Sequence, residues 1–284
     1  MKFLALIFSI SFTASAYAIP VAPFDAFTTN IVRGNSNGFD FEGIVKLSNC
    51  SGSLIRFSGQ PATAKAVVMT NGHCLGGMFG GMPKPGQVIA NKAVSRDMKI
   101  FDKEMNLFPI KATKILFAAM TDTDVTLYEL SQTYAEILNK YKIRSFDLDT
   151  VKPMVGTDID IVSGYWEKGY ACQIESFVYR LKEAGWIFSD SIRYAAGCET
   201  IGGTSGSPII ARGTRSVIAI NNSANEDGQK CTMNNPCEED SNGDVIVMRD
   251  RKYGQQTFNI YSCLRPDFTV DLSVQGCLLP KPKK

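Results

Sequence analysis

The sequence predicts an all-β protein, with a sandwich or barrels as the open alternatives. Three observations carry that expectation. Short runs rich in Val, Ile, Phe and Tyr recur along the chain. Gly, Asn and Pro interrupt them at close intervals. One stretch alone has helical spacing.

In chain order, residues 43–47 (GIVKL) and 52–57 (GSLIRF) flank an Asn-Cys-Ser break, and residues 64–69 (AKAVVM) form an apolar run. Residues 110–117 (IKATKILF) and 125–130 (VTLYEL) mix β-branched and aromatic residues with polar ones. Residues 131–141 place Tyr134, Ile137, Leu138 and Tyr141 on one helical face. The pattern then returns to strands at 159–165, 173–181, 208–211 and 217–220. No repeat period is visible.

The chain has 284 residues, 44% hydrophobic and 20% charged, enough for one large core or two smaller ones. Thirty basic and 28 acidic residues leave a net charge of +2, so no charge excess points to a nucleic-acid partner. The single histidine, His73, excludes a zinc site built from several imidazoles.

Residues 1–18 read as a secretory signal: Lys2, an apolar run from Phe3 to Phe12, and Ala16-Tyr17-Ala18 as the cleavage site. The run is too short to span a bilayer. Residues 19–30 are then a short propeptide, and the mature chain is expected in the periplasm or outside the cell. The eight cysteines, Cys50, Cys74, Cys172, Cys198, Cys231, Cys237, Cys263 and Cys277, all follow the signal. An even number in an exported chain reads as disulfides, with 105 possible pairings.

Two loops invite and fail a ligand reading. Residues 76–86 (GGMFGGMPKPG) lack the residue order of a phosphate loop. In the polar stretch 221–244, Asp240, Asn242 and Asp244 offer oxygens, but Gly243 is misplaced for a calcium loop. That stretch is expected to be a solvated surface loop closed locally by Cys231 and Cys237.

Three short segments carry chemistry. Residues 201–208 (IGGTSGSP) put Ser205 in a tight turn whose small neighbours admit a substrate and free backbone N–H groups. Residues 67–74 (VVMTNGHC) put His73 at a strand exit beside Cys74. Residues 121–127 (TDTDVTL) put Asp124 at a strand start, where a buried carboxylate accepts an imidazole N–H. A serine nucleophile needs a base, and the base an orienting acid. The chain supplies them in the order His73, Asp124, Ser205.

These segments resemble the chymotrypsin/trypsin-like serine peptidases. Residues 49–55 (NCSGSLI) resemble the family's C-x-G-[ST]-L-I strand, 70–74 its T-A-A-H-C, 124–127 its D-[IV]-A-L, and 203–208 its G-D-S-G-G-P. The last is closer to the G-x-S-G-S-P of the bacterial glutamyl-endopeptidase-like branch. The likeness covers about residues 40–225. It implies two antiparallel six-stranded β-barrels within residues 31–284, split near 142–155, with a C-terminal disulfide-containing extension. It implies His73, Asp124 and Ser205 as the catalytic triad and the N–H groups of Gly203 and Ser205 as the oxyanion hole. It implies Cys50–Cys74 and Cys172–Cys198 as disulfides; proximity in sequence then pairs Cys231–Cys237 and Cys263–Cys277.

Specificity is expected from Glu199, six residues before the serine, from Thr200, and from Asn221, Asn222 and Ser223 at the edge that pairs with substrate backbone. The resemblance to trypsins implies that Glu199 favours basic substrate residues, with small or apolar ones as the alternative; the branch's glutamate-reading histidine falls near Asn221, and the chain has no second histidine. Thr204 stands where trypsins carry the Asp that pairs with a new N-terminus, so Ile31-Val32-Arg33-Gly34 is not expected to insert. The function expected is a secreted, monomeric serine endopeptidase acting on protein or peptide substrates with no cofactor, metal, nucleic acid or membrane span. An inactive relative used for binding and a disulfide-rich adhesion module are the alternatives.

Overall fold

The computed structural model describes residues 38–76 and 81–282. The signal, the propeptide and the segment 31–34 lie outside the described residues. The first barrel is built from β1 (Ile44–Lys46), β2 (Ser51–Arg56), β3 (Lys65–Thr70), β4 (Val88–Phe101), β5 (Leu107–Ala119) and β6 (Val125–Thr133). They pair in the order β1-β4-β5-β6-β3-β2, and β1–β2 pairing closes the ring. Closure removes the exposed sheet edges.

A short helix, α1 (Tyr134–Tyr141), and β7 (Phe146–Leu148) lead to the second barrel. Thr133 caps α1 through a reciprocal capping box with Glu136, and Lys142 ends it in the left-handed conformation. The cap explains why the helix starts three residues later than its periodicity suggests. β7 pairs in parallel with β2 and with β12 (Ser216–Ala224), one strand from each barrel.

The second barrel holds β8 (Asp158–Ser163), β9 (Lys168–Glu183), β10 (Trp186–Tyr194), β11 (Pro208–Ala211), β12 and β15 (Lys252–Gln256). Their order is β12-β11-β8-β9-β10-β15, closed by β12–β15 pairing. The chain is therefore all-β with two antiparallel six-stranded barrels, the chymotrypsin-like arrangement.

Six of the described strands escape sequence reading, β4, β7, β10 and β15 among them. β4 and β10 are rich in charged and polar residues on their outer faces. The polar stretch expected as plain surface loop contains β13 (Cys237–Glu239), which pairs with β9 and with β14 (Val245–Val247). This insertion sits between β12 and β15 and covers the end of β9.

Each barrel has its own apolar interior, represented by Val68, Ile115 and Tyr128 in the first and by Ile161, Ile192 and Ile209 in the second. A third cluster joins them: Ile44, Ile55 and Phe117 meet Val162, Ile210 and Ile220. Full burial of such side chains contributes roughly 1.5–3 kcal/mol each. The C-terminal extension adds Ile260, Val270 and Leu279 to this cluster and ties back through Tyr261, whose hydroxyl donates to Leu148 O at 2.7 Å.

All four disulfides pair as expected: Cys50–Cys74, Cys172–Cys198, Cys231–Cys237 and Cys263–Cys277. Among the described residues no helix is long and apolar enough to cross a membrane.

Candidate active site

Strand register brings His73 and Asp124 together. β3 pairs antiparallel with β6, Thr70 opposite Thr126, so the chain leaving β3 runs beside the chain entering β6. Asn71 Nδ2 fastens the corner by donating to Asp124 O at 2.7 Å. His73 then opens one turn of 3-10 helix, His73–Leu75, and the Cys50–Cys74 bridge anchors that turn to the chain just before β2.

The contact is double. His73 Nδ1 lies 2.6 Å from Asp124 Oδ2, and His73 N–H donates to Oδ1 at 3.0 Å. Asp124 is buried, whereas the His73 side chain keeps 23% of its surface exposed. Burial works to lower the imidazole pKa, but the Asp124 charge and hydrogen bond, with a smaller pull from Glu183, raise it above 6.5.

Arg96, from the unforeseen β4, braces the same turn. Its Nη1 donates to Cys74 O and to Tyr128 OH, both at 2.8 Å, and its Nη2 donates to Asn49 Oδ1 at 2.9 Å. No sequence signal distinguishes this arginine from the other cations of its strand.

Ser205 sits in two consecutive turns. Thr204 N–H closes the first on Ile201 O at 3.0 Å, and Ser207 N–H closes the second on Thr204 O at 3.1 Å. The third residue of each turn is glycine with positive φ, Gly203 at 89° and Gly206 at 79°, as type II turns require. Gly206 is doubly constrained: a Cβ there would lie 2.2 Å from Ser51 O and 2.3 Å from Thr70 Oγ1.

That closeness is how the barrels present one site. Ser51 of β2 donates its N–H to Ser205 O at 2.8 Å, and Thr70 Oγ1 donates to Ser51 O at 2.7 Å. Behind the loop, Asn221 Nδ2 donates to Thr204 O at 3.0 Å while Tyr194 OH donates to Asn221 Oδ1 at 3.0 Å. A neutral buried network thus holds the loop where an ion pair with Thr204 is impossible.

The Ser205 hydroxyl donates to Asn222 O at 3.3 Å and is not hydrogen-bonded to His73. The N–H groups of Thr204, Gly206 and Ser207 are used within the fold. Those of Gly203 and Ser205 make no hydrogen bond among the described residues.

His73, Asp124, Ser205, Thr200, Asn221, Asn222 and Ser223 line one groove. Glu199 does not: it is exposed and outside the lining. Besides Asp124, a second buried acid in the groove is Glu183 at the end of β9. Burial raises its pKa against the opposing hydrogen bonds of Ser223 and Asn234. Sequence gave no sign of Glu183, because its place depends on the insertion folding over the hairpin.

Cys50, His73 and Cys74 place three donor atoms within 4.8 Å of one another. Both sulfurs are spent in a disulfide, so neither is available as a thiolate ligand.

No protein-family model matches the chain, and no curated protein matches it. Among solved structures, the MamO protease domain from Magnetospirillum magneticum is 11% identical, with 79% of this chain and 97% of that chain covered and a TM-score of 0.49. Mouse neuropsin, a serine protease, is 14% identical over 77% of this chain and 90% of its own, TM-score 0.43. The scabies mite inactivated protease paralogue S-I1 is 12% identical over 79% and 94%, TM-score 0.45. The solved structures that this chain is similar to thus include serine proteases.

Proposed function

We propose that the chain is a serine endopeptidase that cleaves peptide bonds through an acyl-enzyme on Ser205. The observation that carries the reading is the pair of hydrogen bonds that Asp124 accepts from His73 in the groove that Ser205 also lines. With Nδ1 engaged by Asp124, Nε2 is the nitrogen left to take the Ser205 proton. Asp124 fixes that tautomer and stabilises the imidazolium that forms.

In the reaction, Ser205 Oγ attacks the substrate carbonyl and His73 accepts its proton. The C–N bond breaks as His73 returns that proton to the leaving amine, and water then releases the acyl group. The unused N–H groups of Gly203 and Ser205 are the donors for the oxyanion; losing one such donor typically costs about 10²–10³ in turnover. Before attack the hydroxyl gives up Asn222 O and donates to His73 Nε2 instead.

Four disulfides fit an oxidising compartment, so the reading places the protein outside the cytosol as a monomer acting on protein or peptide substrates. The turn sequence resembles that of the glutamyl-endopeptidase-like branch, but among the described residues nothing in the groove lining is basic apart from His73, so glutamate preference is not proposed.

A fluorophosphonate probe tests the reading. Labelling of Ser205 that Ser205→Ala and His73→Ala both abolish supports it. The competing reading, an inactive two-barrel binding protein, draws on the Ser205–Asn222 hydrogen bond. A folded protein that never labels would establish that alternative.

A further inference from the structure

The groove contains an acid that the proposed reaction does not use. Glu183 ends β9 and stands directly opposite Trp186 in β10, so their side chains rise from the same face of the hairpin. Asn234 donates its N–H to Glu183 Oε1 at 2.8 Å, and the Ser223 side chain is near enough to the carboxyl to pull its pKa down. Both partners are neutral. Among the described residues no lysine or arginine pairs with Glu183; the charged groups it feels are His73 and Asp124, and Asp124 repels it.

Glu183 is only 7% exposed. A carboxylate buried without a cation is costly, and its environment would be completed by one arriving from outside. The surrounding groove wall is apolar: Met82, Met120, Trp186, Phe188 and Met233. An apolar wall with a buried acid set in it suits a long aliphatic stem carrying a positive head; the other unused acid of the groove, Glu226, is exposed to solvent. The stem lies on the methionines, the head meets the carboxylate, and the indole face adds a cation–π contact.

We propose that Glu183 is a specificity-determining residue that recognises a lysine or arginine side chain of the bound peptide in the part of the groove beside His73. The basic preference expected from Glu199, in the loop after β10, is thereby assigned to a different acid at the end of β9. The peptide nature of the ligand rests on the peptidase reading; the cation site rests on Glu183 and its walls.

The test reads binding without catalysis. Fluorescent peptides in which lysine or norleucine is moved through each position are titrated against the Ser205→Ala protein. At one position lysine should bind at least about tenfold more tightly than norleucine, and Glu183→Gln should reduce that advantage to about twofold or less. Gln retains the oxygen that accepts the Asn234 N–H, so the loop keeps its anchor.

A second variant leaves Glu183 untouched. Met233 is 44% exposed, and Met233→Lys sets a resident ammonium in that wall. It should abolish the lysine advantage as well. No lysine preference at any position, or a preference that survives both changes, overturns the proposal. Were Glu183 merely tuning His73, both peptides would respond alike to Glu183→Gln, which also overturns it. Fluorophosphonate labelling of the unmodified protein reports separately on the reaction. Labelling without lysine preference removes the cation site alone, and lysine preference without labelling removes the peptidase reading alone.

Discussion

Asp124 grips His73 with both carboxylate oxygens, Oδ2 at 2.6 Å from Nδ1 and Oδ1 accepting the backbone N–H at 3.0 Å. One acid thereby sets the position of the histidine's main chain and the orientation of its ring. Orientation and tautomer come from the same residue.

Asp124→Asn tests that coupling. The amide keeps one acceptor but removes the charge and offers a donor where an acceptor is needed. Turnover of a cleaved peptide should fall by about 10⁴-fold while the fold persists. A loss under tenfold, measured as kcat/KM, would show that Asp124 does not orient the base.

The pH dependence follows from His73. Burial pulls its folded pKa down, but the Asp124 charge and hydrogen bond, with Glu183, together raise it above 6.5. Activity needs the neutral imidazole, so kcat/KM should rise with pH to a midpoint above 6.5. Stability runs the other way: the pair's contribution is fully present below the unfolded pKa and fades as pH rises through the folded one. Glu183→Gln removes a charge that raises His73, so it should move the kinetic midpoint down. A midpoint below 6.5 in the unmodified protein contradicts this account.

Gly206→Ala should disable the nucleophile loop. Left-handed backbone strain alone costs about 1–2 kcal/mol for a residue with Cβ. The added methyl also meets Ser51 O and Thr70 Oγ1 at 2.2 and 2.3 Å, forcing the barrels apart where they meet. The expected result is a melting temperature lowered by at least about 3–6 °C together with loss of Ser205 labelling. Unchanged melting would mean the loop repacks freely.

Glu42 pins the barrels from the opposite direction. It accepts from Arg144 N–H at 2.8 Å and from Arg144 Nε at 3.0 Å, and Arg215 approaches within 3.4 Å. Burial pushes its pKa up, but the Arg144 hydrogen bonds and both guanidinium charges bring it below 4.5. Its contribution is present above 4.5 and is lost as pH falls through the lowered folded value. Glu42→Gln should cost about 2–3 kcal/mol at pH 7, less than a fully buried pair because Arg144 is 56% exposed. Denaturant titrations of both proteins should converge on acidification; a constant gap would remove the charge from the explanation.

The sequence by itself determined the features that local chemistry writes. Short apolar runs specified most strands, the spacing of Tyr134, Ile137, Leu138 and Tyr141 the α-helix, and the cysteine positions, read through a family resemblance and proximity, the four disulfides. Gly203 and Gly206 announced tight turns because few other residues adopt a positive φ. Tertiary structure decided everything that depends on two distant segments meeting. β4 and β10 stay hidden because their outer faces carry the charges of a solvated surface, and only barrel closure makes them strands. Glu199 and Glu183 look alike as letters, yet one is exposed and the other is enclosed by β10 and the loop 231–234. Arg96 supports the histidine turn only because β4 passes beneath it, and the Ser205 hydroxyl chose Asn222 O by the register of β12. Backbone preference is a property of a few neighbouring residues; which side chains share a groove is a property of strand pairing across the whole chain.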